Sequence, residues 1–219
     1  MMKINVITID GPSASGKGAL ALRIANIFGF KILDSGALYR LYAYFSKMNY
    51  SPDEIINQIK MKIIFNNNKN GLSIIYKEDD ISSELRSEAI AKLASEYSAK
   101  KEVRDTLFNI QRNFYDGDVL VADGRDMGTV VFKDAKLKIF LTASPEERAK
   151  RRYLELQNRG QEVNMPDLIV DIEKRDFKDS SRDISPLFPA DDAHIIDSSG
   201  MSAEEVFLYI KKMIEKEFY

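Results

Sequence analysis

The stretch from Ile4 to Gly18, IleAsnValIleThrIleAspGlyProSerAlaSerGlyLysGly, constrains the fold more than any other part of the chain. Its first half reads as a buried strand, and the strand runs straight into a glycine-bounded loop that opens a helix. Gly11 and Gly16 let the backbone double back without a Cβ penalty, so successive N–H groups face inward as a concave anion site. The helix that starts near Gly16 adds its unpaired N–H groups and the positive end of its dipole. Lys17 adds a full charge on a long stem. Gly11, Pro12, Ser13, Ala14, Ser15, Gly16, Lys17, Gly18 and Ala19 are therefore the expected cradle for the β- and γ-phosphates of ATP or GTP. The spacing matches the Walker A pattern through the lysine and then departs from it. Gly18 stands at the usual Ser/Thr position and Ala19 follows, so no hydroxyl is available there for Mg²⁺.

Downstream, helical spacing alternates with short apolar strands. Leu20, Ile24 and Ile27 share one helix face, and Lys31 to Asp34 reads as a strand. Helices are expected over Gly36 to Met48 and Pro52 to Lys60. Lys62 to Asn66 and Leu72 to Lys77 look like a small antiparallel insert about an Asn/Gly-rich turn. Two helices fit between Ser87 and Tyr115. Val119 to Ala122 and Leu137 to Leu141 are strands, the first almost wholly apolar, as a parallel strand covered on both faces should be. Pro145 opens a helix to about Asn158, Met165 to about Ser180 is helical, Ile195 to Asp197 is a last strand, and Ser202 caps a terminal helix reaching Phe218. This alternation predicts an α/β fold on a parallel sheet, with ligands at the carboxyl ends of its strands. The 219 residues fit one domain, 1–219. A net charge of -2 argues against a nucleic-acid surface, the absence of cysteine rules out disulfides and thiolate metal sites, and a lone His194 makes a zinc site improbable. No stretch has the length of a membrane span and no leader precedes the first strand, so a cytoplasmic enzyme is expected.

Three polar clusters should meet at the strand ends. AspSerGlyAlaLeuTyrArg, residues 34–40, follows the second strand; AspGlyArgAsp, residues 123–126, follows the apolar one; and Arg175, Asp179 and Arg182 are spaced to share a helix face. Asp123 fits a Walker B carboxylate that holds Mg²⁺ directly or through water. Arg148, Arg151 and Arg152 lie on the helix after Pro145, with Arg159 just beyond. Arginine presents a planar fork for phosphate oxygens and keeps its proton, so this concentration of guanidinium groups points to oxyanion recognition. His194 is read as a structural residue in a loop before the last strand, since nothing near it pairs it with a nucleophile.

Taken with the phosphate loop, AspSerGlyAlaLeuTyrArg, AspGlyArgAspMetGlyThrValValPhe, GluGluArgAlaLysArgArg and LysArgAspPheLysAspSerSerArg resemble the bacterial cytidylate kinases, from about Ile4 to the final helix. The resemblance implies a three-layer P-loop kinase core with a parallel five-stranded sheet, an enlarged monophosphate-binding insert over roughly 50–100 carrying the small antiparallel sheet, and a short lid over roughly 148–165. It implies a monomer that transfers a phosphoryl group from ATP to CMP or dCMP. Ser35, Arg40, Ser95, Arg104, Arg125, Asp126, Arg175, Asp179 and Arg182 would line the monophosphate site. Within it Arg104 and Asp126, with Ser95, would hold cytosine, Asp179 a ribose hydroxyl, and Arg40, Arg125, Arg175 and Arg182 the phosphate. Lys17 and the lid arginines Arg151, Arg152 and Arg159 would stabilise the transferring group. The family tolerates Gly at the position of Gly18, so Mg²⁺ is expected on phosphate oxygens and waters, with Asp123 as its protein partner. Two other classes are consistent with a phosphate loop alone: a kinase for a hydroxyl acceptor, and a nucleotide-dependent switch. The nearest match to a guanine-reading motif, Asn68-Lys69-Asn70-Gly71, lacks the carboxylate.

Overall fold

The computed structural model describes residues 3–68, 71–158 and 160–219. Five parallel strands, β1 (Ile4–Asp10), β2 (Lys31–Asp34), β6 (Leu120–Gly124), β7 (Ala135–Thr142) and β8 (His194–Asp197), form the central sheet in the order β2-β6-β1-β7-β8. Strand β1 is flanked by β6 on one side and β7 on the other, with Asp10 opposite Gly124 and Phe140. The phosphate loop therefore leaves the middle of the sheet, where ligands of open parallel sheets gather.

Alternation along each strand sends side chains to two separate cores. Ile7, Ile9, Val121, Ile139 and Leu141 face α1 (Lys17–Phe28) and α9 (Ala203–Phe218). Val6, Leu33, Leu120 and Ala122 face the opposite layer. That layer contains α2 (Ser35–Lys47), α3 (Pro52–Lys62), α5 (Glu88–Tyr97) and α6 (Lys101–Arg112). A second sheet, β3 (Ile63–Asn68), β4 (Gly71–Tyr76) and β5 (Asp79–Asp80), is antiparallel. Ile74 and Tyr76 of this sheet are buried in the same core as Val6 and Leu120, so the insert is welded to the main sheet rather than tethered to it. A single-turn helix, α4 (Ser82–Leu85), joins it to α5, and α7 (Pro145–Asn158) and α8 (Met165–Ser181) pack on one another beyond β7.

The element order follows the expected one, with the short strand β5 and the single-turn helix α4 added to the insert and three further differences. His194 is the first residue of β8, not part of a loop. Helix α8 ends at Ser181, leaving Arg182 as an extended cap residue with ψ 143°. After β6 the chain makes a π-helical turn, Met127–Val131, in which Val131 N donates to Asp126 O and Phe132 N to Met127 O, five residues back. Among the described residues no helix is long and apolar enough to cross a membrane.

Candidate active site

The phosphate loop is built on close approach. Gly11 lies so near β7 that a Cβ would sit 2.0 Å from Leu141 O, and its φ of +152° suits glycine. Gly16, with φ +91°, ends the loop as the N-cap of α1, and no side chain occupies the cap. The first N–H groups of α1 are thus left open to an anion. Lys17 Nζ donates to the carbonyl of Pro12 at 3.1 Å, folded back over the loop. Burial lowers its pKa, repulsion from Arg125 and Arg175 lowers it further, and Asp123 and Asp34 oppose the shift.

Two arginines of α7 hold the loop from outside. Arg148 donates to Ser13 O at 3.3 Å and to Ala143 O at 2.9 Å, and it pairs with Asp176 of α8 at 2.5 Å. Arg151 donates to Ser15 O at 2.8 Å and to Ser198 O and Oγ at 2.8 and 3.1 Å. Its guanidinium is thereby occupied by two carbonyls and the Ser198 hydroxyl. Arg152 reaches across the cleft to Glu88 at the start of α5 and also holds Glu155 at 2.8 Å. Arg159 lies outside the described residues.

A single cleft of about 730 Å³ joins this loop to the second cluster. Ser13, Ala14, Gly16, Lys17, Gly18 and Ala19 line one end of it; Ser35, Arg40, Ser95, Arg104, Asp126 and Arg182 line the other; Asp123, Arg125, Arg151, Arg152, Arg175 and Asp179 stand along it. Gly11, Pro12 and Ser15 are buried in the loop's own framework. At the N-terminus of α2, Asp34 caps the helix by accepting from Ala37 N at 2.8 Å and holds Arg40 at 3.0 Å, while Ser35 Oγ donates to the buried Gln111 at 2.9 Å. Arg125 Nε donates to Asp179 at 3.1 Å and Nη1 to Gly11 O at 2.6 Å. Arg182 approaches Asp179 at 3.9 Å. Arg104 and Asp126, both buried, are paired, and Arg104 Nη1 also donates to Ser98 O at 2.9 Å.

Cations outnumber their partners here. Burial, then repulsion from Arg125 and Arg40, brings Arg175 down to about 10, still charged at neutral pH; burial and Arg104 lower Arg182 likewise. Burial alone would raise Asp179, but Arg125, Arg175 and Arg182 together hold it below the usual carboxylate range. Among the described residues Arg175 Nε and Arg182 Nη2 are buried without a hydrogen-bond partner. Such a place suits a dianion. Asp123 is the converse: burial raises its pKa against the pull of Lys17, and its Oδ1 is buried and unpartnered. Its Oδ2 lies 3.1 Å from where a Cβ on Gly18 would stand, so this carboxylate fills the space of the usual loop hydroxyl. An anionic oxygen facing the phosphate loop fits a hard cation such as Mg²⁺.

Sequence reasoning missed Asp10, Gln111, the carbonyl of Ser98 and Glu88. Only Asp10 had a visible signal, a carboxylate closing an apolar strand.

A model of the cytidylate kinase family matches residues 7–216. The chain is 43% identical to a cytidylate kinase of Proteus mirabilis, with 96% of this chain and 97% of that one covered. It is 46% identical to one of Stutzerimonas stutzeri, with 93% and 92% covered. Among solved structures, an uncharacterized protein from Eubacterium ventriosum is similar at 12% identity and a TM-score of 0.53, with 98% of this chain and 99% of that one covered. TT1252 from Thermus thermophilus is similar at 16% identity and a TM-score of 0.50, with 100% of both chains covered. Likeness at that identity speaks for the fold alone.

Proposed function

The chain belongs to the cytidylate kinase family, and on that footing we propose that it transfers the γ-phosphoryl group of ATP to the 5′-phosphate of CMP or dCMP. The products are ADP and the nucleoside diphosphate. The observation that carries this reading is the continuity of one cleft from the phosphate loop to four arginines, Arg40, Arg125, Arg175 and Arg182. A kinase for an uncharged hydroxyl acceptor has no use for a second site of that charge.

In this reading the loop N–H groups and Lys17 hold the β- and γ-phosphates, and the four arginines hold the acceptor phosphate in line with them. An anionic phosphate oxygen of the acceptor attacks the γ-phosphorus while the bond to the β–γ bridging oxygen breaks. The nucleophile carries no proton at that oxygen, so no general base is required. Positioning and charge stabilisation do the catalysis. Asp123 would hold Mg²⁺ directly or through water; when bound, the ion would neutralise charge on the phosphate oxygens. Arg104 and Asp126, with Ser95, read the base: the carboxylate accepts from the exocyclic amine of cytosine and repels the carbonyl that uracil presents there. Asp179 takes a ribose hydroxyl. Segment 148–165 serves as the lid and 50–100 as the monophosphate lobe. Arg152 is the arginine that turns onto the transferring phosphate, and Arg151 positions the loop. The protein acts as a monomer on small molecules in the cytoplasm.

The test is an ADP-release assay with ATP and Mg²⁺ on CMP, dCMP, UMP, AMP and no acceptor. Turnover concentrated on CMP and dCMP is the expected result. Preference for UMP or AMP would overturn the base assignment, and ADP release independent of acceptor would overturn the transfer itself.

A further inference from the structure

A buried carboxylate at the end of β1 takes part in none of the substrate contacts assigned above. Asp10 is 5% exposed, and its two oxygens accept from two successive amides, Oδ1 from Met127 N and Oδ2 from Gly128 N, each at 2.8 Å. Burial pushes its pKa up to about 7 even though both N–H bonds pull it down. A carboxylate this costly to bury needs a compensating role. The amides that it holds open the π-helical turn immediately after Arg125 and Asp126. On the other side of Asp126, Arg125 Nη1 is fixed to Gly11 O at 2.6 Å. Residues 10 and 11, where the central strand becomes the phosphate loop, therefore grip the chain on both sides of Asp126. The fit is close: a Cβ on Gly128 would meet Thr8 Oγ1 at 2.9 Å, Lys138 Cδ at 3.2 Å and Asp10 Oδ2 at 3.3 Å.

We propose that Asp10 is a positioning residue for base recognition: by holding the Met127 and Gly128 amides it sets the Asp126 carboxylate against Arg104, and with it the preference for CMP over UMP. This rests on the reading of Asp126 given above. A two-acceptor grip fixes both position and tilt of the turn, which a single hydrogen bond does not. The π-helical bonds from Val131 N and Phe132 N to Asp126 O and Met127 O then carry that placement through the turn.

The experiment compares kcat and KM for CMP, UMP and ATP in wild type, Asp10→Asn, Asp126→Ala and the double variant. The Asn side chain turns one acceptor into a donor that faces an N–H. The expected result for Asp10→Asn is a CMP-over-UMP ratio of kcat/KM reduced about tenfold or more, with KM for CMP raised and KM for ATP within about twofold of wild type. In the double variant the ratio should fall no further than in Asp126→Ala alone, because both act through one contact. An unchanged ratio in Asp10→Asn beside a reduced one in Asp126→Ala overturns the proposal and leaves the base reading standing. A wild-type ratio in Asp126→Ala overturns the base reading and the proposal with it. Should Asp10→Asn not fold, Gly128→Ala presses on the same hydrogen bond from the other side, and a folded Gly128→Ala enzyme with a wild-type ratio overturns the proposal equally.

Discussion

Lys17 is held in a surrounding that works against its charge. Removal from water is the larger effect, the nearby guanidinium groups of Arg125 and Arg175 add to it, and Asp123 and Asp34 restore only part of the loss. A polyphosphate entering the loop reverses the balance, since several negative oxygens replace a single carbonyl as partner. The ammonium pKa must therefore rise on binding, which means that ATP binding takes up protons. At about pH 8 the γ-phosphate of ATP is already ionised and does not mask the effect. Calorimetry of ATP binding in two buffers of different ionisation enthalpy should give enthalpies that differ in the sense of uptake, by up to one proton. Lys17→Met should abolish the difference. Equal enthalpies in the two buffers for wild type, or net release, would contradict the assignment. The same residue was plain in the sequence because every feature that marks it lies within a few positions of it. Asp10 was not: its partners are 117 and 118 residues away, and a carboxylate ending a strand has many ordinary uses.

At the scale of one element, α7 links the site together. Positions 148 and 151 are one helical turn apart, so both guanidinium groups point at the phosphate loop and catch the carbonyls of Ser13 and Ser15. Arg148 also pairs with Asp176, the neighbour of Arg175, and so ties the phosphate loop to the helix that carries the arginine proposed for the acceptor phosphate. Truncating Arg148, 3% exposed, leaves a carboxylate and two carbonyls without their donor. With Asp176 only partly buried, losing the donor costs about 2 kcal/mol, or roughly 4–8 °C in Tm for a chain of this size. Arg148→Lys should recover little, because one ammonium cannot serve three acceptors set apart in a fork. Thermal and denaturant unfolding measure both, and an Arg148→Ala protein within about 1 kcal/mol of wild type would show the link to be dispensable. The spacing of these arginines announced a phosphate-facing helix, but not which of them turns inward, because that depends on loop carbonyls 135 and 136 residues earlier. The π-helical turn was hidden for a similar reason: MetGlyThrValVal favours no single local structure, and its shape depends on contacts distant in sequence. Arg182 was placed one residue too far along a regular helix, since helix ends are the least certain part of any periodic pattern.

For the molecule as a whole, the question is what holds the two walls of the cleft relative to each other. One wall is α5 of the insert, rigidly joined to the central sheet through a shared core; the other is the α7–α8 pair. Arg152 of α7 bridges them by pairing with Glu88, whose side chain is 63% exposed. Exposed pairs of this kind contribute at most about 1 kcal/mol and are weakened by salt. The bridge is therefore too weak to lock the cleft, yet it occupies the arginine assigned to the transferring phosphate. Releasing it is part of the cost of closing on ATP, and a mutation that removes the cost in advance should improve ATP binding. Glu88→Gln is expected to leave stability within about 0.5 kcal/mol of wild type and to lower KM for ATP by as much as about fivefold, the equivalent of 1 kcal/mol, with kcat undiminished. The difference should shrink at high ionic strength, where the wild-type pair is already screened. If KM for ATP rises and kcat falls instead, Glu88 contributes to the closed site rather than restraining Arg152. If neither changes at low salt, the Glu88 pair does not restrain Arg152, and its release is no part of the cost of closing on ATP.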